Sequence, residues 1–392
     1  MSQAFITRKG GNPYTTINFN LPIFDRTTPT ALSVGRCGFA ATAIGDYAFF
    51  AGGGYNGFFT NAVDAYNTSL VRSTPTVLSA VRGSLAATIV GNYALFGGGW
   101  DAPSYSDVLD AYDSSLTRST PTALSVRRRN LSATTIGNYA LFGGGQSGSS
   151  YYSNVVDAYN TSLVRSTPTV LSVVRGSLAA TIVGNYALFG GGQSGSSSYS
   201  NVVDAYDLSL TRTTPTALSV GRQSLRSAST GNYALFGGGS SGSSSNVVDA
   251  YDSSLTRTTS TALSAARSLL AATSIGDYAL FGGGWDNPSY SDVVDAYDTS
   301  LVRSTPTALS VGRRNLSATS IGDYALFGGG QSGSYSYSKA VDAYSPYHRI
   351  QVYPGTKYAF NGSSEAESST FQTLNYTGAL TGYLKVKNAS VN

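Results

Sequence analysis

Histidine, cysteine, methionine and glutamate are nearly missing from this chain of 392 residues. There is one His (His348), one Cys (Cys37), one Met and two Glu (Glu365 and Glu367). A single cysteine permits no intrachain disulfide and no thiolate cluster, and a single histidine cannot supply a zinc or copper ligand set. A histidine-based triad would have to recruit His348 from the C-terminal tail. Charge is scarce too, at 12% of residues against 41% hydrophobic, so a large core is available and disorder is not expected. No apolar run approaches the length of a membrane-spanning helix, so no membrane insertion is expected. The start, MSQAFITRKGGNPY, lacks the apolar segment of a secretory signal, which points to synthesis in a cytoplasm.

The net charge of +4 dissolves when it is partitioned. Between Asp25 and Tyr344 there are 18 Arg and Lys339 against 19 Asp, so that stretch is neutral. The excess lies in the tails. A nucleic-acid binder clusters its positive charge on a main domain to neutralise phosphates, so no nucleic-acid partner is expected.

What the chain has in abundance is glycine (45) and tyrosine (28), and both recur at a fixed period. The triplet Asp-Ala-Tyr begins at Asp64, Asp110, Asp157, Asp204, Asp249, Asp295 and Asp342, a spacing of 45 to 47 residues. A glycine cluster recurs at Gly52, Gly97, Gly143, Gly190, Gly237, Gly282 and Gly328. A third element, Arg-x-Thr-[Pro/Ser]-Thr-x-Leu-Ser, begins at Arg26, Arg72, Arg118, Arg165, Arg212, Arg257 and Arg303. Such repetition is the first thing to interpret in a chain.

The unit from Arg175 to Ser219 reads as four short strands. These are Ser177–Val183, a Gly184-Asn185 hairpin signal, Tyr186–Phe189, a polar loop, Val202–Tyr206, and a fourth strand through Thr211–Leu218. No segment has helical periodicity. Four antiparallel strands repeated seven times are the grammar of a β-propeller, in which each blade covers the faces of its neighbours.

The pattern Arg82, an apolar strand, Tyr93-Ala94-Leu95-Phe96-Gly97-Gly98, a loop, then Val108-Leu109-Asp110-Ala111-Tyr112 resembles the kelch repeat. The family's tryptophan after the third strand is missing, and Leu70, Leu116 and their equivalents stand in its place. The resemblance implies a seven-bladed kelch-like β-propeller over residues 25–344. It also implies an N-terminal strand around Arg26–Ser33 that completes blade seven, which would leave no exposed edge. Copper oxidase relatives of the family need several histidines and a reactive cysteine, and the sialidase-like Ser-x-Asp-x-Gly-x-Thr-Trp box does not occur. The chain is therefore expected to be non-enzymatic, with no cofactor. The pairs Asp101/Asp107 and Asp286/Asp292 supply too few carboxylates to argue for calcium.

Residues present in every repeat are read as architectural. These include the Asp of Asp-Ala-Tyr, the Arg eight positions on, and the 14 tyrosines of the two tyrosine motifs, all taken as core. The variable loops between second and third strands carry the candidate ligand-binding residues. They hold Tyr55, Phe58 and Phe59; Trp100 and Tyr105; Tyr151 and Tyr152; Tyr199; Trp285 and Tyr290; and Tyr335 and Tyr337. Aromatics among Ser, Gly and Asn form the composition of adaptable binding loops, though Gly/Ser loops also serve as plain connectors. The junction arginines Arg36, Arg82, Arg128, Arg175, Arg222, Arg267 and Arg313 are expected on the same face, where the resemblance implies partner binding. Their other reading is pairing with carboxylates of adjacent blades. Arg127, Arg129, Arg226 and Arg314 add local charge.

Residues 1–24 form an N-terminal arm, and residues 345–392, with alternating runs at 350–353 and 383–386, suggest a small β-element. The stretch AFITRKGG is similar to the starts of phage and prophage structural proteins of Gram-positive bacteria. The sequence thus points to an all-β attachment protein of a phage tail or related particle. Its loops would bind a surface glycan or receptor, and its two tails would contact neighbouring subunits. A cytoplasmic interaction scaffold and a stand-alone carbohydrate-binding lectin are the alternatives.

Overall fold

The computed structural model describes residues 14–21 and 23–387. The AFITRKGG stretch and the rest of residues 1–13 lie outside the described residues. Every described element is a β-strand, and no described helix is long and apolar enough to cross a membrane. The chain divides into two compact units. One is Thr28–Ala343, and the other joins the described parts of Met1–Thr27 and Tyr344–Asn392.

Each repeat folds as a four-stranded antiparallel sheet. In one of them Ala179–Val183, Tyr186–Gly190, Val203–Tyr206 and Arg212–Thr213 lie in that order. The turn between the first two strands uses Gly184 at a φ of +52°, a left-handed conformation that glycine adopts without a Cβ penalty. Two boundaries differ from the sequence expectation. The first strand starts at Ala179 because Ser177 has a φ of +53°. The fourth strand is two residues long instead of running to Leu218, since Pro215 has no N–H to continue a ladder. Seven such sheets occur along the repeats, and the last has the strand order Asp25–Thr27, Val341–Ser345, Tyr324–Gly328, Ser317–Ile321.

First strands pack side by side in chain order, and Ser317–Ile321 of the last repeat packs against Ala40–Ile44 of the first. Just before these strands runs a cycle of backbone hydrogen bonds. Ser84 N donates to Gly38 O, Asn130 N to Ser84 O, Ser177 N to Asn130 O, and Ser224 N to Ser177 O. Leu269 N then donates to Ser224 O, Asn315 N to Leu269 O, and Gly38 N to Asn315 O, which returns to the start. All seven residues are left-handed, with φ between +51° and +61°.

The core lies between sheets. One cluster joins Leu141, Val156 and Ala158 of one sheet to Ala187, Phe189 and Tyr206 of the next. Burying side chains of this size stabilises the fold by about 1.5–3 kcal/mol each. Close approach needs glycine at the end of the second strand: a Cβ on Gly143 would stand 2.7 Å from a ring carbon of Phe189. Where the last sheet meets the first, Phe39 replaces the leucine found at Leu85, Leu131 and their equivalents, and it packs edge-on to Phe50 at 6.0 Å. The Asp-Ala-Tyr tyrosines are fully buried, and Tyr206 donates its hydroxyl to Thr169 O at 2.7 Å. The other tyrosine set, Tyr186 and its counterparts, is only half-buried, because it stands at the exposed start of the second strand beside the hairpin turn.

The junction arginines are interior, contrary to the expectation that they line a binding face. Arg36, Arg82, Arg128, Arg175, Arg222, Arg267 and Arg313 are all 0% exposed. Each meets the aspartate of the sheet that follows it in the chain. The pairs are Arg36–Asp64 (2.9 Å), Arg82–Asp110 (2.7 Å), Arg128–Asp157 (2.5 Å), Arg175–Asp204 (2.7 Å), Arg222–Asp249 (2.9 Å), Arg313–Asp342 (2.7 Å) and Arg267–Asp295. The partner is thus in the arginine's own sheet, not an adjacent one. In the first six repeats a second arginine, eight positions after the aspartate, takes the other carboxylate oxygen, as in Arg212–Asp204 at 2.8 Å. Ser172 N donates to that same oxygen at 3.1 Å, and Arg175 also donates to Phe189 O at 3.0 Å. Burial pushes the guanidinium pKa of Arg175 down, and Asp204 pulls it back up. A buried charge is tolerable only with its partners in place.

In the second unit, Tyr14–Leu21 pairs antiparallel with Leu380–Lys387, from Tyr14↔Lys387 to Leu21↔Leu380. Lys357–Phe360 and Ala366–Glu367 continue that sheet, and Tyr347–Val352 pairs separately with Gln372–Thr377. Phe360 packs edge-on to Tyr376 at 5.0 Å, and Lys385 Nζ meets Glu365 at 2.6 Å.

Replacing Asp204 with Ala strands two guanidinium groups, one wholly buried. It is expected to lower unfolding free energy by about 3–5 kcal/mol, read from urea midpoints. A loss below about 1 kcal/mol would show that these pairs do not hold the sheets.

Candidate functional site

After each second strand the chain leaves the sheet through glycines that no other residue can replace. Gly98 and Gly99 have φ of +68° and +115°, and a Cβ on Gly98 would lie 2.6 Å from Arg128 O. The next residue pairs with the one just after a junction arginine. Gly83 N donates to Trp100 O at 2.9 Å and Trp100 N to Gly83 O at 2.8 Å. Equivalent bridges join Cys37 to Gly54, Arg129 to Gln146, Gly176 to Gln193, Gln223 to Ser240, Ser268 to Trp285, and Arg314 to Gln331. Junctions and variable loops therefore share one face of the repeat unit.

Several loops form small hairpins of their own, which fixes their aromatics. Trp100 faces Tyr105 across one, Trp285 faces Tyr290 across another, and Tyr55 faces Phe58 across a third. The Trp285 and Tyr290 rings meet edge-on at 5.0 Å, and Phe59 meets Trp100 edge-on at 5.3 Å. Two arginines complete the arrangement. The Arg129 guanidinium carbon lies 4.4 Å from the Trp100 ring centre and 5.5 Å from that of Tyr105. Arg314 repeats this on Trp285 (4.5 Å) and Tyr290 (5.5 Å). Each arginine is steadied by a glutamine of the next loop, with Nε donating to Oε1 at 3.0 Å in both Arg129–Gln146 and Arg314–Gln331. A guanidinium over an aromatic face is worth about 0.5–1 kcal/mol when exposed. The result is the same tryptophan–tyrosine–arginine platform built twice.

The other candidate aromatics are spread along this face. Phe58, Tyr151 and Tyr335 are strongly exposed, at 69%, 75% and 84%. Tyr55 is exposed to a lesser degree, and Phe59, Tyr152, Tyr199 and Tyr337 are half-buried. The buried junction arginines are excluded from direct contact with a ligand. Their chain neighbours Arg129 and Arg314 stand over the platforms, with Gln146 and Gln331 beside them. Arg129 and Arg314 stand out in the sequence as arginines at a position held elsewhere by Cys, Gly, Gln or Ser, whereas Gln146 and Gln331 share their position with Gln193 and carry no such signal.

Cys37 occupies the position of Arg129 and Arg314 in the first repeat, paired with Gly54. Burial raises its thiol pKa to about 11, and the Arg314 charge opposes that only in part.

No protein-family model matches this sequence, and no curated protein matches it. Solved structures match it in fold. The "Structure of YjhT", a kelch-like β-propeller type fold, aligns with a TM-score of 0.53 over 80% of this chain and 96% of that one. Identity is 10%, so the likeness establishes a propeller-type fold and nothing about a ligand.

With its pKa near 11, the Cys37 thiol holds few thiolate ions at pH 8, and the thiolate is the reactive form. Its alkylation by iodoacetamide is expected to be slower than that of a free thiol by roughly 100-fold. The rate should climb with pH past the usual thiol range. A rate profile with its midpoint near the ordinary cysteine value would contradict this.

Proposed function

We propose that this chain is a non-enzymatic attachment protein: a closed, seven-bladed kelch-like propeller whose loop face binds a surface glycan or receptor. The seven repeat sheets, the strand Asp25–Thr27 in the last of them, and the cycle of seven backbone hydrogen bonds support the closed ring. The observation that carries the function is the doubled platform, Trp100/Tyr105/Arg129 and Trp285/Tyr290/Arg314. Large rigid aromatics give contact area at low entropic cost, and a stacked guanidinium adds a fixed fork of donors. Sugar rings present both an apolar C–H face and hydroxyl groups, which suits such a surface. Two equal platforms on one rigid unit also favour a repetitive target, where the second contact becomes intramolecular.

The terminal unit is the proposed joint to neighbouring subunits of a phage tail or related particle. The pairing of Tyr14–Leu21 with Leu380–Lys387 supports one joint element built from both chain ends.

The test is a binding assay to host cell surfaces or their isolated glycans. Trp100→Ala with Trp285→Ala should weaken attachment by at least about 30-fold, as expected for central aromatic anchors. The unfolding midpoint should change little, because the loops lie outside the packed sheets. Either substitution alone should retain part of the binding. Undiminished attachment by the double variant would remove this face from consideration. Deleting residues 345–392 should instead release the protein from its particle while the loops still bind. Loss of binding with assembly intact would reverse the two roles.

A further inference from the structure

The residue after the junction arginine is itself an arginine in two repeats, Arg129 and Arg314, and Cys, Gly, Gln or Ser in the other five. The residue after the glycine cluster is tryptophan in two repeats, Trp100 and Trp285. The two choices are coupled. Each arginine stands at the first junction after a tryptophan loop, 29 residues on in both cases, and at no other junction. A plain connector gives no reason for two such distant positions to change together.

The contacts of the two arginines show which of their atoms are engaged. Nε donates to Oε1 of Gln146 or Gln331 at 3.0 Å. Each amide is tied in turn, since Nε2 of Gln146 donates to Ser149 O at 3.1 Å and Nε2 of Gln331 to Ser334 O at 3.3 Å. The ring contacts to tryptophan and tyrosine fix the guanidinium plane. Nη1 and Nη2 of both arginines have no hydrogen-bond or ion-pair partner among the described residues, and neither side chain is wholly buried.

Nearby acids do not fill that gap. Asp101 and Asp286 follow the tryptophans on two-residue strands, where adjacent side chains project to opposite faces. Asp107 pairs with Arg127 at 3.4 Å, and neither it nor Asp292 reaches a stacked arginine. By contrast the preceding arginines, Arg128 and Arg313, each hold a buried aspartate. Stacking also commits one face of the indole to the guanidinium. Each platform therefore offers a ligand a clamped pair of N–H donors first, with Tyr105 or Tyr290 beside it.

We propose that the ligand of these platforms is an acidic glycan, whose carboxylate or phosphate groups seat on the Nη1/Nη2 forks of Arg129 and Arg314. The assignment rests on the glycan reading given above and adds the charge. A planar guanidinium matches either anion with two parallel donors. Because Nε and the ring contacts hold it in advance, little side-chain freedom is lost on binding. Two equal forks on one compact unit, Thr28–Ala343, suit a polymer in which the charged group recurs.

Calorimetric titration of the full chain with polygalacturonate, its methyl ester, a phosphate-bearing mannan and the same mannan stripped of phosphate tests this. At least one acidic polymer should bind, and its neutral form should bind at least about 10-fold more weakly; the polymer that binds identifies the anion. Arg129→Gln with Arg314→Gln, the residue that Gln223 places at this position in another repeat, should weaken binding roughly 10- to 100-fold. The double variant should also lose the salt dependence of the parent while its unfolding midpoint stays in place. Arg129→Lys with Arg314→Lys keeps the charge without the fork, should bind with intermediate affinity, and decides the matter if the glutamine variant does not fold. Equal binding of a polymer with and without its charge, unchanged affinity in the glutamine variant, or no binding of either acidic polymer up to about 10 mM of repeating unit would overturn the proposal. Polyglutamate competing as well as the acidic polymer would overturn the assignment to a sugar. Binding of neutral forms that is lost in Trp100→Ala with Trp285→Ala would remove the charge and leave the glycan reading standing. Acidic binding that survives that tryptophan pair would remove the platforms themselves.

Discussion

Six of the seven repeats are organised around a buried aspartate gripped by two arginines. Asp204 takes Arg175 from the segment entering its sheet and Arg212 from its outermost strand. One carboxylate thus fixes where a sheet begins and where it ends. Its neighbour Tyr206 anchors the preceding connection through Thr169, and Phe189 accepts a bond from Arg175 through its carbonyl. Such pairs contribute little net stability compared with apolar packing, because burial of both charges opposes their attraction. Their effect is on geometry. An alternative register would leave a charge alone in the interior, at a cost of several kcal/mol.

That constraint explains how the loop face can be polar and variable while the scaffold stays uniform. The junction arginine points inward, and the residue after it points to the loop face. In six sheets the intersheet contact needs a glycine such as Gly143 against a phenylalanine such as Phe189. The packing therefore fixes the repeat up to that glycine and leaves the loop beyond it free to differ. Trp100 and Trp285 occur in two of these loops, and their stacked arginines come from the junctions that follow.

Much of this architecture was legible in the sequence, because a repeat read seven times averages out local ambiguity. Strand order, the Gly-Asn turns and the grouping of loops with junctions all followed from period and pattern. The junction arginines were misplaced for a physical reason. Charge ordinarily signals surface, and only the register that brings Arg175 beside Asp204, 29 residues on, makes an interior site for it. Likewise the stacking of Arg129 on Trp100 depends on paired bridges between segments distant in sequence. The pairing of Tyr14–Leu21 with Leu380–Lys387 is harder still, since almost the whole chain separates the partners.

Phe39 has a consequence for folding. With near-identical repeats, most intersheet surfaces are interchangeable, and a growing chain could join sheets out of turn. The surface between the last sheet and the first is different, because Phe39 occupies a leucine position and packs edge-on to Phe50. A ring that tried to shut one repeat early would have to seat that bulkier ring against a surface shaped for leucine, and overfilled interiors are unfavourable by about 1–3 kcal/mol. On the closed seven-bladed ring proposed above, the phenylalanine would mark the one seam at which the first sheet is seated.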